Sequence, residues 1–234
     1  MPAPVPHKHE YLFGGDKPWN PLDWTSSDDR VRGGSSYSTL TCNAASPIAR
    51  YHGNLDIKTL GGAGFASQRT TGDRTWDLSA FSGLVLDIAK SDGMQYTLTL
   101  KDELLPQSPD GREQSSVNWE YDFKAQKDGQ KISLGWHDLK ATYRGREKVD
   151  AKPLDLKNVK RISLLTRSFF GKQEGDFSLS IVSIAAVEKD PGTNITPYRD
   201  DPNEAVRGSN DEKVPYDLSP PKQSWLGWRW QCVW

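Results

Sequence analysis

An all-β sandwich, drawn as a jelly roll with irregular N- and C-terminal extensions, is the fold class this sequence predicts. Three observations predict it. About nine segments alternate apolar and polar residues with a period of two, as strands with one buried face do. Turn-forming pairs, Asp92–Gly93, Asp110–Gly111 and Asp128–Gly129, fall between them. No segment carries a helical stripe longer than about three turns. Short strands with turn signals between them build a sandwich, with Greek-key connections that set the N- and C-terminal strands side by side.

Taken in order, residues 1–18 read as an extended arm, because Pro2, Pro4 and Pro6 forbid a helix there. His7 and His9 form a pair with no third ligand nearby, which does not make a metal site. The sandwich domain is expected over 19–188. Its strands are expected at 35–42, 48–57, 64–70, 83–90, 95–101, 117–125, 131–136, 160–167 and 176–187. The stretch 117–125 alternates most clearly: Val117, Trp119, Tyr121 and Phe123 against Asn118, Glu120, Asp122 and Lys124. The first set is expected inside, and Glu120 and Asp122 in solvent. In the last strand the phase slips at Val182, which predicts a bulge. Residues 76–81 and 136–139 each fit one short turn of helix.

Beyond Glu188 the chain turns rich in Pro, Asp, Asn and Gly, so 189–234 reads as an irregular tail. Four of the nine tryptophans lie at its end: Trp225, Trp228, Trp230 and Trp234, with Leu226 and Arg229 among them. That density fits a plug docked in a groove, since tryptophan is costly to leave in water. It also fits an anchor to a membrane face or a partner, with Arg229 meeting phosphate.

Thirty basic and 31 acidic residues give a net charge of -1, which argues against nucleic-acid binding. No apolar run approaches the ~20 residues of a membrane-spanning helix. Cys42 and Cys232, the two cysteines, are too few for a disulfide framework and fit a reducing compartment or one optional bridge. The first nine residues show neither a secretory core nor the Arg-rich pattern of a mitochondrial presequence. From residues alone the expectation is the cytosol, a compartment reached by another signal, or a presequence that lies outside this sequence.

One stretch concentrates special residues. Residues 24–36 hold Asp28, Asp29, Arg30, Arg32, Gly33, Gly34 and four serines behind Trp24. Asp and Ser side chains fix turns by bonding nearby amides, and glycines allow positive φ or close backbone approach. A second glycine corner, 61–64, leads to Arg69. Either these are tight corners with arginines paired to local acids, or Arg30, Arg32 and Arg69 meet a partner's carboxylate or phosphate. Catalytic patterns are weak. His52 and His137 sit in no nucleophile motif, and the glycine run lacks dinucleotide spacing. The acid pairs Asp28/Asp29, Asp102/Glu103 and Glu120/Asp122 give no sign of glycosidase geometry. No zinc or EF-hand spacing appears, so no cofactor is expected, although loop carboxylates could hold a structural calcium.

Trp24, 27–36, 51–55, 62–69, 77–79, 82–86, Asp92, Gly93, Tyr96 and 175–181 together resemble the complex I intermediate-associated protein 30 family, over about residues 19–188. The resemblance implies a galactose-binding-like sandwich, similar to carbohydrate-binding modules, with no enzymatic activity. It implies a mitochondrial assembly factor on the matrix side of the inner membrane. Its partners would be membrane-arm subunits of complex I and other assembly factors. A competing expectation is a carbohydrate-binding module, with Trp76, Trp119, Tyr121 and Trp136 as stacking platforms.

Overall fold

The computed structural model describes residues 9–43, 46–109, 111 and 113–188. Thirteen strands make up the described chain. They are β1 His9–Gly14, β2 Trp24–Ser26, β3 Tyr37–Cys42, β4 Ala49–Leu55, β5 Phe65–Thr70, β6 Gly83–Ser91 and β7 Gln95–Lys101. β8 Asn118–Lys124, β9 Gln130–Gly135, β10 Lys140–Tyr143, β11 Arg146–Glu147, β12 Arg161–Arg167 and β13 Gly175–Val187 follow. One sheet runs β3-β4-β13-β6-β9, with β1 also on β13; the other runs β11-β10-β8-β7-β12-β5-β2. All pairs are antiparallel. The expected all-β sandwich is therefore present, and each of the nine expected strands has a counterpart. Residues 136–138 form the expected short turn, as a 3-10 helix.

One expectation is corrected. Residues 9–14, assigned from the sequence to an extended arm, pair with β13 from His9↔Val187 to Gly14↔Ser183. No proline falls between Pro6 and Pro18, and Leu12 and Phe13 supply a buried face there, at 6% and 5% exposure. Phe13 packs on Trp19 and Trp24 at centroid distances of 5.8 and 4.8 Å. The bulge at Val182 marks the place where β4, paired with residues 175–181 of β13, gives way to β1. The Trp19 indole donates to the Val182 carbonyl at 3.0 Å. Gly14 lies against the same carbonyl; a Cβ there would stand 2.0 Å from it. The strands β2, β10 and β11 are short, and the sequence pattern shows none of them.

Between the sheets lie Leu84, Leu86, Ile88, Leu98, Leu100, Ile162, Leu164, Leu179 and Ile181, each at most 2% exposed. Burying each such side chain contributes about 1.5–3 kcal/mol. Tyr51, Tyr96 and Phe177 cluster at one end, with centroids 5.0 to 6.3 Å apart. Both tyrosine hydroxyls are bonded, Tyr51 to the Ala66 carbonyl at 2.6 Å and Tyr96 to the Asp92 carboxylate. Trp119 and Tyr121 point inward as expected but are only half-buried, near the edge of the core.

Candidate functional site

The motif at residues 27–36 folds as a staple. Asp28 and Asp29 are 3% and 0% exposed. Asp28 Oδ1 accepts from the Ser67 amide at 2.8 Å and the Ser38 hydroxyl at 2.7 Å. Its Oδ2 accepts from the Ser38 amide at 3.2 Å and from Arg30 at 2.8 Å. Asp29 accepts from the amides of Ser36, at 3.0 Å, and Phe65, at 3.1 Å. Two carboxylates thus tie a short 3-10 helix, Asp29–Arg32, to both sheets, on β3 and β5. A buried carboxylate needs such donors to offset its desolvation. Gly33 closes the helix in the left-handed region at φ 81°. Gly34 makes room for Asp29: a Cβ there would stand 2.3 Å from Asp29 Oδ1. Asp28, Asp29, Gly33 and Gly34 are therefore occupied inside the fold. Of the candidate arginines, Arg30 is bound to Asp28, whereas Arg32 and Arg69 extend into a cleft.

That cleft, about 630 Å³, lies over the outer face of the second sheet. Its floor is the polar parity of neighbouring strands: Ser67 and Arg69 from β5, Ser163 and Arg167 from β12, Thr99 from β7, Glu120 from β8. Glu120, expected in solvent, is corrected, whereas Asp122 is exposed as expected. Glu120 is 5% exposed, and both carboxylates grip one guanidinium. Arg167 donates to Glu120 at 2.8 Å and to Asp122 at 2.7 Å. Burial works against the Arg167 charge, but the two carboxylates outweigh it and hold its pKa above the usual arginine value.

At the other end Arg69, Lys101 and Arg161 share Glu113, at 3.2, 3.2 and 3.4 Å. Here burial pulls the Arg161 pKa down; Glu113 opposes it, and Arg69 adds to the fall. The polarity of the floor is thus divided, two acids on one cation at one end and three cations on one acid at the other.

The rim carries backbone strain. Among the described residues, Arg144, Phe169 and Phe170 are the non-glycines at positive φ (53°, 45° and 60°), and all three line the cleft. Such strain persists only where surrounding structure holds it, and it concentrates at binding sites. Arg144 sits with Gly145 in the turn between β10 and β11, and Gln173 braces the segment that leads to Phe169 and Phe170. The Gln173 side chain donates to the carbonyls of Gln95 and Arg167 at 2.9 and 2.8 Å, and accepts from the Gln95 amide at 3.0 Å. Phe169 lies under the Arg167 guanidinium at 4.8 Å, and Phe170 stands 99% exposed. A fully exposed aromatic beside a charged floor offers apolar surface to another molecule.

Other expected residues fall elsewhere. Trp76, Trp119, Tyr121 and Trp136 pack against the core, and none lines the cleft. His52 and His137 also lie outside it. Trp225, Leu226, Trp228, Arg229, Trp230 and Trp234, with Cys232 and the tail from 189, lie outside the described residues. Lys101, Glu113, Arg161 and Arg167 are the residues that sequence reading missed, and Glu120 and Asp122 it named only as an acid pair. The available signal was charge of opposite sign on the outward parity of the two strands, Glu120 and Asp122 on β8 and Arg161 and Arg167 on β12.

The solved structures most informative for the fold are sugar-binding modules. The family 11 carbohydrate-binding module of a cellulosomal cellulase, Lic26A-Cel5E of Clostridium thermocellum, is similar with a TM-score of 0.51 at 12% identity. It covers 81% of this chain and 100% of that one. The solution structure of CtCBM11 gives 0.50, also at 12% identity, over 81% and 99%. At such identity the likeness establishes the fold alone. In sequence, an uncharacterized protein of Schizosaccharomyces pombe is 45% identical over 184 residues, covering 76% of this chain and 84% of that protein. The family profile described as complex I intermediate-associated protein 30 matches residues 12–181, a span that includes the Asp28–Asp29 staple and most of the cleft floor. On that match and the shared sandwich, the chain belongs to the complex I intermediate-associated protein 30 family.

Proposed function

We propose that this protein is a non-enzymatic binding module in the assembly of respiratory complex I. It holds a membrane-arm intermediate through the charged cleft, together with other assembly factors, on the matrix side of the mitochondrial inner membrane. Family membership supports the link to complex I assembly. The observation that carries the binding role is the cleft itself: a preformed floor of paired charges under a strained aromatic rim. Its three carboxylates, Glu113, Glu120 and Asp122, are each engaged by a cation, which suits recognition better than general acid or base work. Arg32 and Arg69 are the motif residues placed to contact a partner. The tryptophan-rich end, with Arg229, would supply a peripheral contact with the membrane or a hydrophobic subunit. Affinity purification from detergent-solubilised mitochondria tests the proposal. It predicts recovery of complex I membrane-arm chains, and their absence would reject it.

A second reading, binding of a carbohydrate, is favoured by the fold shared with family 11 modules. The cleft opposes it, because the aromatics there are Phe65, Phe169 and Phe170 at the margin and none belongs to the expected Trp/Tyr platform. Titration calorimetry with β-glucan oligosaccharides separates the two readings: measurable heat restores the sugar reading, and none at millimolar sugar removes it.

A further inference from the structure

The positive end of the cleft already holds a carboxylate supplied by this chain. Arg69 on β5, Arg161 on β12 and Lys101 on β7 stand on adjacent strands, with Arg161 and Lys101 directly opposite in the ladder. Arg69 and Arg161 both reach Glu113 Oε2, at 3.2 and 3.4 Å, and Lys101 reaches Oε1 at 3.2 Å. Glu113 comes from the connection between β7 and β8, in which no described residue from 103 to 117 is in a strand or helix.

Two observations set this cluster apart from a structural ion pair. Lys101 and Arg161 side chains are only 14% and 9% exposed, so the cations are held largely out of water. Among the described residues one carboxylate serves these three cations, whereas Arg167 at the other end has two carboxylates to itself. Desolvated cations in excess of their counter-charge are costly unless an anion completes them.

We propose that Arg69, Lys101 and Arg161 form a socket for an acidic side chain of a partner polypeptide, and that Glu113 is its resident stand-in, exchanged for the partner's carboxylate on docking. The inference rests on the reading of this cleft as the partner site. The group seated there is a peptide carboxylate with both oxygens engaged, which favours Asp or Glu on another chain over other anions. Exchange leaves the charge of the socket unchanged, so docking swaps one ion-pair set for another, and the partner's further contacts along the cleft set the direction. While Glu113 is seated, affinity is reduced by the fraction of molecules whose socket is closed.

The test uses the full chain and a fluorescein-labelled oligoglutamate peptide, read by anisotropy at low and at physiological salt. Glu113→Gln is expected to bind the peptide about tenfold tighter than wild type, the gain from removing a resident seated in about nine molecules of ten. Glu113→Asp, which keeps the charge but shortens the reach, is expected to fall between the two and stands in if Glu113→Gln does not fold. Lys101→Met in the Glu113→Gln background is expected to abolish the gain, and salt to weaken the binding throughout. Binding by either Glu113 variant no tighter than wild type, or a gain that survives Lys101→Met, overturns the socket. Tighter binding of a phosphoserine peptide than of oligoglutamate by Glu113→Gln overturns its assignment to carboxylate. The titration needs no complex I chain. Its failure beside intact partner recovery sinks the socket alone, and failed recovery beside tight oligoglutamate binding sinks only the complex I reading.

Discussion

Replacing Asp28 by Ala tests whether the 27–36 motif is a structural staple. Asp28 accepts four hydrogen bonds, from the Ser67 amide, the Ser38 amide, the Ser38 hydroxyl and Arg30. Ser38 and Ser67 are themselves 5% and 8% exposed, so their donors have little water to turn to. Each buried donor left unsatisfied costs about 1–3 kcal/mol, and a carboxylate acceptor is worth more than a neutral one. The expected loss is therefore about 3–5 kcal/mol, or roughly 10 °C in melting temperature for a domain of this size. Arg30→Ala is the control. Its side chain is 55% exposed, and loss of that pair costs under about 1 kcal/mol after solvent screening. Urea unfolding of the two variants gives both numbers. A loss below about 1 kcal/mol for Asp28→Ala, or equal losses for the pair, would refute the staple, because the backbone donors would then have found other partners.

Three further outcomes are expected. Gly34→Ala puts a Cβ 2.3 Å from Asp29 Oδ1 and costs about 2–3 kcal/mol, whereas Gly33→Ala meets open space at φ 81° and costs about 1 kcal/mol; thermal melts separate them. Burial, and Arg50 beside it, hold the His52 pKa below the usual value, so the unfolded chain binds more protons and stability falls as pH drops through about 6.5. The effect is under about 1 kcal/mol after screening, and His52→Gln should flatten it in unfolding curves between neutral and mildly acid pH. Deleting residues 224–234 is expected to release the protein from membranes in a flotation assay at an unchanged melting temperature; a large drop in that temperature would show a plug instead.

The sandwich was legible because its strands alternate over whole segments, as in 83–90 and 176–187, and because period-two patterns encode which face is buried. Even the bulge at Val182 was readable, as a slip in that alternation. β1 was hidden by the prolines before it, β2 and β11 by their length of three and two residues. The staple was half legible. Glycines and acids crowded into 27–36 announced a fixed corner, but the partners of Asp28 and Asp29 lie up to 39 residues away, on strands whose positions only the tertiary fold sets. The cleft was hardest. A polar parity reads the same whether it faces bulk water or a walled groove, and the walls come from connections far apart in the chain, around Glu113, Arg144 and Phe170. Glu120 reads as a solvent residue on its own strand and becomes a buried ion-pair member only when β12 brings Arg167 across β7.

The central claim is that the charged cleft holds a complex I assembly partner. The most direct measurement compares tagged wild-type protein with the Arg69→Gln/Lys101→Met double variant, each purified from detergent-solubilised mitochondria and its co-purifying chains quantified. Wild type is predicted to bring down membrane-arm chains, and the double variant, still folded by its melting curve, to lose most of them. Equal recovery by both proteins, or recovery of no complex I chain by wild type, would contradict it.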